Sequence, residues 1–365
     1  MENLATRASF LLRKTGATLV TLRAKLSGKG FVCDSLQGTA RIGVCINSDL
    51  TLSCGYRDLD GSGHVGDLRE QSFEDAFAGP AAQHLREELA VGRIPSPNCI
   101  RCMNLHMVSK HGARRLLDNV DMPTSVMVEN TSACNLHCLS CRRDTVKQMR
   151  KRGTMSLDDV QKVADNLRRI GVEVITFHNL GEPFLSKRLL DELTIIRECI
   201  PDVRLQVSTN GMLIDTDQKR EAALLFDHIQ FSLDGVDQTM ADRYQRGIDF
   251  DRVLRNLQDL VGYRDAGYHA RPRIVWKYLL FRWNEHRKHL LRAIELARKT
   301  RVDEVWFDKT VSPLYGLPWR SHLGFNRDLR GNSGSNRRVI LRDDPTPSTE
   351  PPKVLLPTAF ESPLP

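Results

Sequence analysis

From about residue 122 onward, the spacing of hydrophobic and polar positions switches between two periods. Six short apolar runs are rich in β-branched and aromatic residues: SVMVEN, VEVITFHN, VRLQVSTN, HIQFSLDG, RIVWKYLLF and DEVWFD. Such runs predict strands. Between them, apolar residues recur at helical spacing in SLDDVQKVADNLRRI, SKRLLDELTIIREC, TDQKREAALLF, FDRVLRNLQDLVGYRDAG and EHRKHLLRAIELARK. Ser156 stands where the first of these helices needs an N-cap. Strands alternating with helices predict βα units, an α/β fold and a parallel sheet. Such a sheet places its ligand sites where loops leave the carboxyl ends of the strands.

The texture upstream is different. Residues 31–112 combine strand-like runs (ARIGVCI, LTLSC), a glycine-rich turn (LDGSGHVGDL), a helical stretch (SFEDAFAGPAAQHLREELA) and PNCIRC. With so few long apolar runs, this reads as a small α+β domain whose core needs a staple. Residues 1–30 are basic and nearly free of acid, and predict an amphipathic helix. Packing on the protein is favoured for it over contact with an anionic surface. The alternating region is bounded at 122–312, which leaves 313–365 as a C-terminal extension. The last 25 residues carry seven of the 16 prolines and predict a disordered tail.

Composition narrows the class. A chain of 365 residues is too long for one typical domain, and 41% hydrophobic content can fill a substantial core. No run of 18 apolar residues occurs, so no transmembrane segment is expected. The net charge of +8 suits an acidic partner, such as a phosphorylated substrate or an acidic electron carrier. No RNA-binding module is recognisable, and nucleic acid is not expected. A cytoplasmic location is.

Nine cysteines change the picture most. An odd number in a long chain without an export signal argues against a disulfide framework and for metal. CNLHCLSC places Cys134, Cys138 and Cys141 just after the first predicted strand of the alternating region, on a loop that Asn135 and Ser140 suit. HNLGEP, STNG and SLDG follow later strands, so four polar motifs meet at one mouth. A structural zinc site normally takes four ligands. A fully ligated iron–sulfur cluster takes four thiolates. Three thiolates closing on a cubane leave one iron open to a small molecule.

Together, CNLHCLSC, GEP, STNG and FSLDG resemble the radical S-adenosylmethionine (SAM) superfamily, over about residues 122–310. The resemblance implies a partial (β/α)6 barrel and a [4Fe-4S] cluster on Cys134, Cys138 and Cys141, with SAM as the fourth ligand. It also implies that Gly181, Glu182 and Pro183 receive the SAM amino group. Ser208 and Asn210 would lie near its ribose and carboxylate, joined by Ser232 and Asp234. Upstream, C-x20-C, VGDLREQSFEDAF and PNCIRC resemble the SPASM or twitch auxiliary domain, here placed before the barrel. That likeness implies a second, auxiliary [4Fe-4S] cluster on Cys33, Cys54, Cys99 and Cys102.

Cys45 and Cys199 read as buried core thiols. His178 is a candidate acid or base, and equally a structural histidine. Of Lys277 and Tyr278, strand alternation sends only one inward, with Lys277 the catalytic candidate. The expected function is a radical SAM oxidoreductase of the dehydrogenase type, acting on a sugar-like or natural-product substrate. Its expected reductant is an acidic carrier such as flavodoxin or ferredoxin. A peptide-modifying maturase is the alternative, and a non-catalytic metal-binding protein the further one.

Overall fold

The computed structural model describes residues 4–325 and 337–341, except 57, 268, 270 and 311. Among the described residues, twelve strands run in chain order: β1 (Lys29–Cys33), β2 (Cys45–Ile46), β3 (Thr51–Ser53), β4 (His64–Asp67), β5 (Leu105–Ser109), β6 (Ser125–Val128), β7 (Val174–Thr176), β8 (Arg204–Thr209), β9 (His228–Ser232), β10 (Arg273–Leu280), β11 (Glu304–Lys309) and β12 (Arg337–Ile340). Strands β6 to β11 are the six that the sequence pattern predicts. They lie side by side in chain order, all parallel, with helices in each crossover. Consecutive right-handed βα units wind such a sheet in one direction, towards a barrel.

Alternation along these strands sorts the side chains. Ile175, Leu205, Val207, Ile229, Phe231, Trp276, Tyr278 and Phe307 are buried in one core with Val160, Leu193, Leu257 and Leu290 of the covering helices. The intervening positions, among them Thr176, Ser208, Ser232, Lys277 and Asp308, face the opposite side of the sheet. The helix Leu157–Arg169 begins as predicted: Ser156 accepts from the Asp159 amide, and the Asp159 side chain returns the bond, forming a capping box.

The upstream residues depart from the sequence reading in two ways. First, the stretch SFEDAFAGPAAQHLREELA is two helices, Phe73–Ala78 and Pro80–Ala90, because Pro80 has no N–H to continue the first and suits the first position of the second. Second, β2, β3 and β4 do not form a sheet apart. Strand β2 pairs in parallel with β6, so the antiparallel run β2–β3–β4 extends the six parallel strands at one edge, and with β12 at the other edge the sheet has ten strands among the described residues. An unpaired β6 edge would leave backbone groups without partners, and β2 supplies them. Phe73 and Phe77 accordingly belong to the same core as Trp276. Among the described residues, only β1 and β5 pair separately, as an antiparallel ribbon.

The N-terminal helix Leu4–Leu26 packs one face on the protein, with Ala24 fully buried and Gly16 beside Ile100, while Leu19, Leu22 and Leu26 stay exposed. Among the described residues, no helix is long and apolar enough to cross a membrane. Most of the Pro-rich segment predicted to be disordered, residues 342–365, lies outside the described residues. Within the C-terminal extension, β12 pairs antiparallel with β11.

Candidate active site

The loop after β6 carries the cysteine triplet, and one arginine pins it. The Arg143 guanidinium donates to the carbonyls of Cys134 (2.8 Å) and Leu136 (2.9 Å) and pairs with Asp144. Segment 244–246 adds two carbonyls, Tyr244 accepting from Leu139 N–H (2.9 Å) and Arg246 from His137 N–H (3.0 Å). Cys134 and Cys138 are half-buried and Cys141 is exposed at the rim. Burial is the largest influence on all three thiols and pushes each above its usual pKa. They are electrostatic neighbours, since Cys138 responds to both Cys141 and Cys134. Leu136 N–H (3.4 Å) and the Asn210 amide (3.9 Å) already point at the Cys134 sulfur.

The GEP segment is stitched onto this loop. A Cβ on Gly181 would fall 1.8 Å from the Thr131 carbonyl oxygen, so only glycine fits there. The Glu182 amide donates to the Ala133 carbonyl at 2.7 Å. The Glu182 side chain is almost fully buried and accepts three bonds, from Phe184 N–H (3.2 Å), Thr209 Oγ1 (2.7 Å) and Asn210 N–H (2.8 Å). Burial raises its pKa, and those donors oppose the rise. Asn210 also donates to Asn135 Oδ1 at 2.8 Å. The structure therefore brings Cys134, Asn135, Gly181, Glu182, Pro183 and Asn210 together.

Further along the same face lies a second polar group. Ser208 Oγ and Ser232 Oγ are 3.0 Å apart. The Ser208 amide donates to His178 Nδ1 at 3.0 Å, which places the hydrogen of the neutral ring on Nε2. Burial, then the Lys277 charge, lowers the His178 pKa to about 3. Lys277 Nζ stands 3.7 Å from Asp308 Oδ2. Asp234 is buried, accepts from Leu279 N–H at 2.7 Å, and is raised to about 7 by burial. Tyr278 points to the other face of β10, where it is fully buried in the core.

Four of the five upstream cysteines meet in a different place. Cys33 ends β1, Cys54 follows β3, and Cys99 and Cys102 flank a short 3-10 turn. All four line one cavity with Leu36, Leu85, Leu89 and Leu105. Cys54 responds electrostatically to Cys33, Cys99 and Cys102 alike. Burial pushes Cys33 up to about 11 and Cys99 to about 12. Cys45 is fully buried in β2 and does not line this cavity. Cys199 differs from the core thiol expected of it: it is half-buried at the end of the helix Leu189–Cys199 and donates to Asp165 at 3.6 Å. Among the described residues, no group of three or more His, Cys, Asp or Glu closes to the spacing of ligands around a single ion.

Residues 128–267 match the radical SAM superfamily. Over 234 residues the chain is 30% identical to GTP 3',8-cyclase of Cronobacter sakazakii (strain ATCC BAA-894), spanning 59% of this chain and 67% of the cyclase. The chain belongs to the radical SAM superfamily. Among solved structures, native anSMEcpe with bound AdoMet is similar over 50% of this chain and 50% of its own, at 17% identity and a TM-score of 0.40. TYW1 with a lysine-pyruvate adduct bound is similar over 48% of this chain and 61% of its own, at 16% identity and a TM-score of 0.35.

Membership makes the chain a radical SAM enzyme and implies a [4Fe-4S] cluster and SAM. The triplet fits that requirement chemically. Its thiols resist ionising alone, and a metal that replaces their protons relieves the cost. Two residues of this radical SAM enzyme escape a reading by motif. Arg143 was signalled only by the basic pair that follows Cys141. Asp308 was signalled only by alternation in DEVWFD, which puts it on the face of Trp306 rather than that of Phe307.

Proposed function

We propose that this radical SAM enzyme is an oxidoreductase with two [4Fe-4S] clusters. Cys134, Cys138 and Cys141 would hold the first, with SAM completing it beside Gly181, Glu182, Pro183, Asn210 and Ser208. Cys33, Cys54, Cys99 and Cys102 would hold the second. A cluster and SAM held there would supply one-electron reductive cleavage of SAM and hydrogen abstraction from the substrate, with the triplet holding the cluster and the GEP and STNG residues orienting SAM. The observation that supports the two-cluster reading is the convergence of four thiols, from three separate stretches of the chain, on one apolar-lined cavity. Four thiolates leave no open iron, so a cluster there is suited to moving electrons rather than binding SAM. That favours net two-electron oxidation of a sugar-like or natural-product substrate. A net charge of +8 suits an acidic electron carrier such as flavodoxin or ferredoxin.

The test is iron counting. Anaerobically purified protein should carry about eight irons per chain. Cys102→Ala should lose about half of them and still form 5'-deoxyadenosine with a strong chemical reductant, while releasing no oxidised product. Cys45→Ser should keep all of its iron. Unchanged iron in Cys102→Ala would remove the second cluster from the proposal. The cyclase relative favours a second reading, a redox-neutral ring closure on a purine nucleotide. Stimulation of 5'-deoxyadenosine formation by GTP would select it.

A further inference from the structure

Six polar side chains from neighbouring strands share the face of the barrel sheet beside the triplet: His178, Ser208, Ser232, Asp234, Lys277 and Asp308. Their connection to the triplet is direct, because Asn210, two residues beyond Ser208, bonds both Asn135 and the Cys134 sulfur. The group contains two carboxyl groups and one ammonium. That ammonium, Lys277, is already paired with Asp308 Oδ2. The next cation down β10, Arg273, is bound by Glu304. Near the mouth, Arg143 is spent on carbonyls and Arg243 lies over the Trp283 ring at 4.5 Å, while Arg142, whose Nε is unbonded, stands on the triplet's own loop and not among these six. The other oxygen of Asp308, Oδ1, is shielded from solvent and accepts no hydrogen bond.

A buried acceptor without a donor is costly, and a native site that contains one is completed by something else. We propose that Asp308 is a specificity-determining residue that receives an amine or hydroxyl group of the substrate, and that the part of the substrate entering the barrel carries no phosphate or carboxylate. The remaining groups suit the same ligand. His178 offers its Nε2 hydrogen to a hydroxyl oxygen. An anion would face the unpartnered Asp308 oxygen, with Lys277, the one cation of the group, already paired to that carboxylate, and like charges brought together are a device of exclusion. The inference rests on the oxidoreductase reading for the kind of substrate, and it deepens the sugar-like reading while opposing a nucleotide polyphosphate inside the barrel.

The experiment uses the anaerobically reconstituted full chain with SAM bound. Four probes form matched pairs: glucose with glucose 6-phosphate, and glucosamine with glucosamine 6-phosphate. Isothermal titration reads their affinities, and iron content and 5'-deoxyadenosine formation are read in the same preparations. The sugars without phosphate should bind at least about tenfold tighter than their phosphorylated partners, with glucosamine the tighter of the two. Asp308→Asn should weaken glucosamine about tenfold to a hundredfold and narrow its advantage over glucose, with SAM affinity unchanged. Should that variant fail to fold, the wild-type pairs decide alone. Binding by neither unphosphorylated sugar, equal or tighter binding of a phosphorylated partner, or an unchanged glucosamine affinity in Asp308→Asn overturns the proposal. About four irons per chain with 5'-deoxyadenosine still formed would instead overturn the two-cluster reading, and the probe series on that SAM-bound protein would still judge Asp308.

Discussion

Glu182 is held by three protein donors, so it is both a knot in the fold and a negative group beside the triplet. Glu182→Ala should weaken SAM binding about tenfold to a hundredfold, as expected for one charge-assisted bond in a dry site. First-cluster iron should remain, and equilibrium binding under anaerobic conditions measures both. An unchanged SAM affinity would move the amino-group contact to another residue. The surroundings of Glu182 were legible because GEP and STNG are short motifs whose members lie close in sequence. Arg143 and Asp308 were not, since each acts through a contact that no local spacing encodes. Asp308 meets Lys277 only because β10 and β11 pair in one register. Cys199 was misjudged for a related reason: its helical period is clear, but only the packed structure shows that the end of that helix is half-covered.

At the scale of elements, six strands and the long helices between them were legible, because each has a period of its own. Pairing between distant elements was not. Strand β2 is only Cys45–Ile46, shorter than the apolar run that suggested it, and its partner β6 begins at Ser125. Backbone pairing across such a separation leaves no mark in the local pattern. The join between GEP and the cysteine loop is equally non-local and unusually tight. Gly181→Ala would press a methyl group to within 1.8 Å of one carbonyl oxygen and 3.0 Å of a second, on Thr131 and Ala133. Both are backbone atoms just before Cys134, so relief requires the loop to move. Overpacking of this kind costs about 1–3 kcal/mol. Thermal unfolding should show a lower midpoint, and SAM affinity should fall with it. A variant with the native midpoint and affinity would mean that the loop yields freely.

Across the whole molecule, two histidines are among the groups that make stability depend on pH. Burial lowers His178 to about 3 and His228 to about 4, against 6.5 in the unfolded chain. The unfolded state therefore binds more protons below pH 6.5. The stabilisation is fully present above that value and declines as pH falls towards 4. Asp234, raised to about 7 by burial, shifts stability in the opposite sense over part of this range, so the readout is a difference: on acidification from neutral pH the denaturant midpoint of His228→Gln should fall less, or rise more, than that of the native chain. An equal change in the variant would mean that His228 is charged in the folded state. The placement of the four-thiol cavity has a further consequence, one of timing. Every residue lining it lies between Cys33 and Leu105, and chains emerge from the ribosome amino end first. Its walls are thus all synthesised before any part of β6, while β2 must wait for Ser125–Val128 to complete its edge. Translation gives the upstream thiols a head start, and a metal delivered to the growing chain meets all four of them before it meets the triplet.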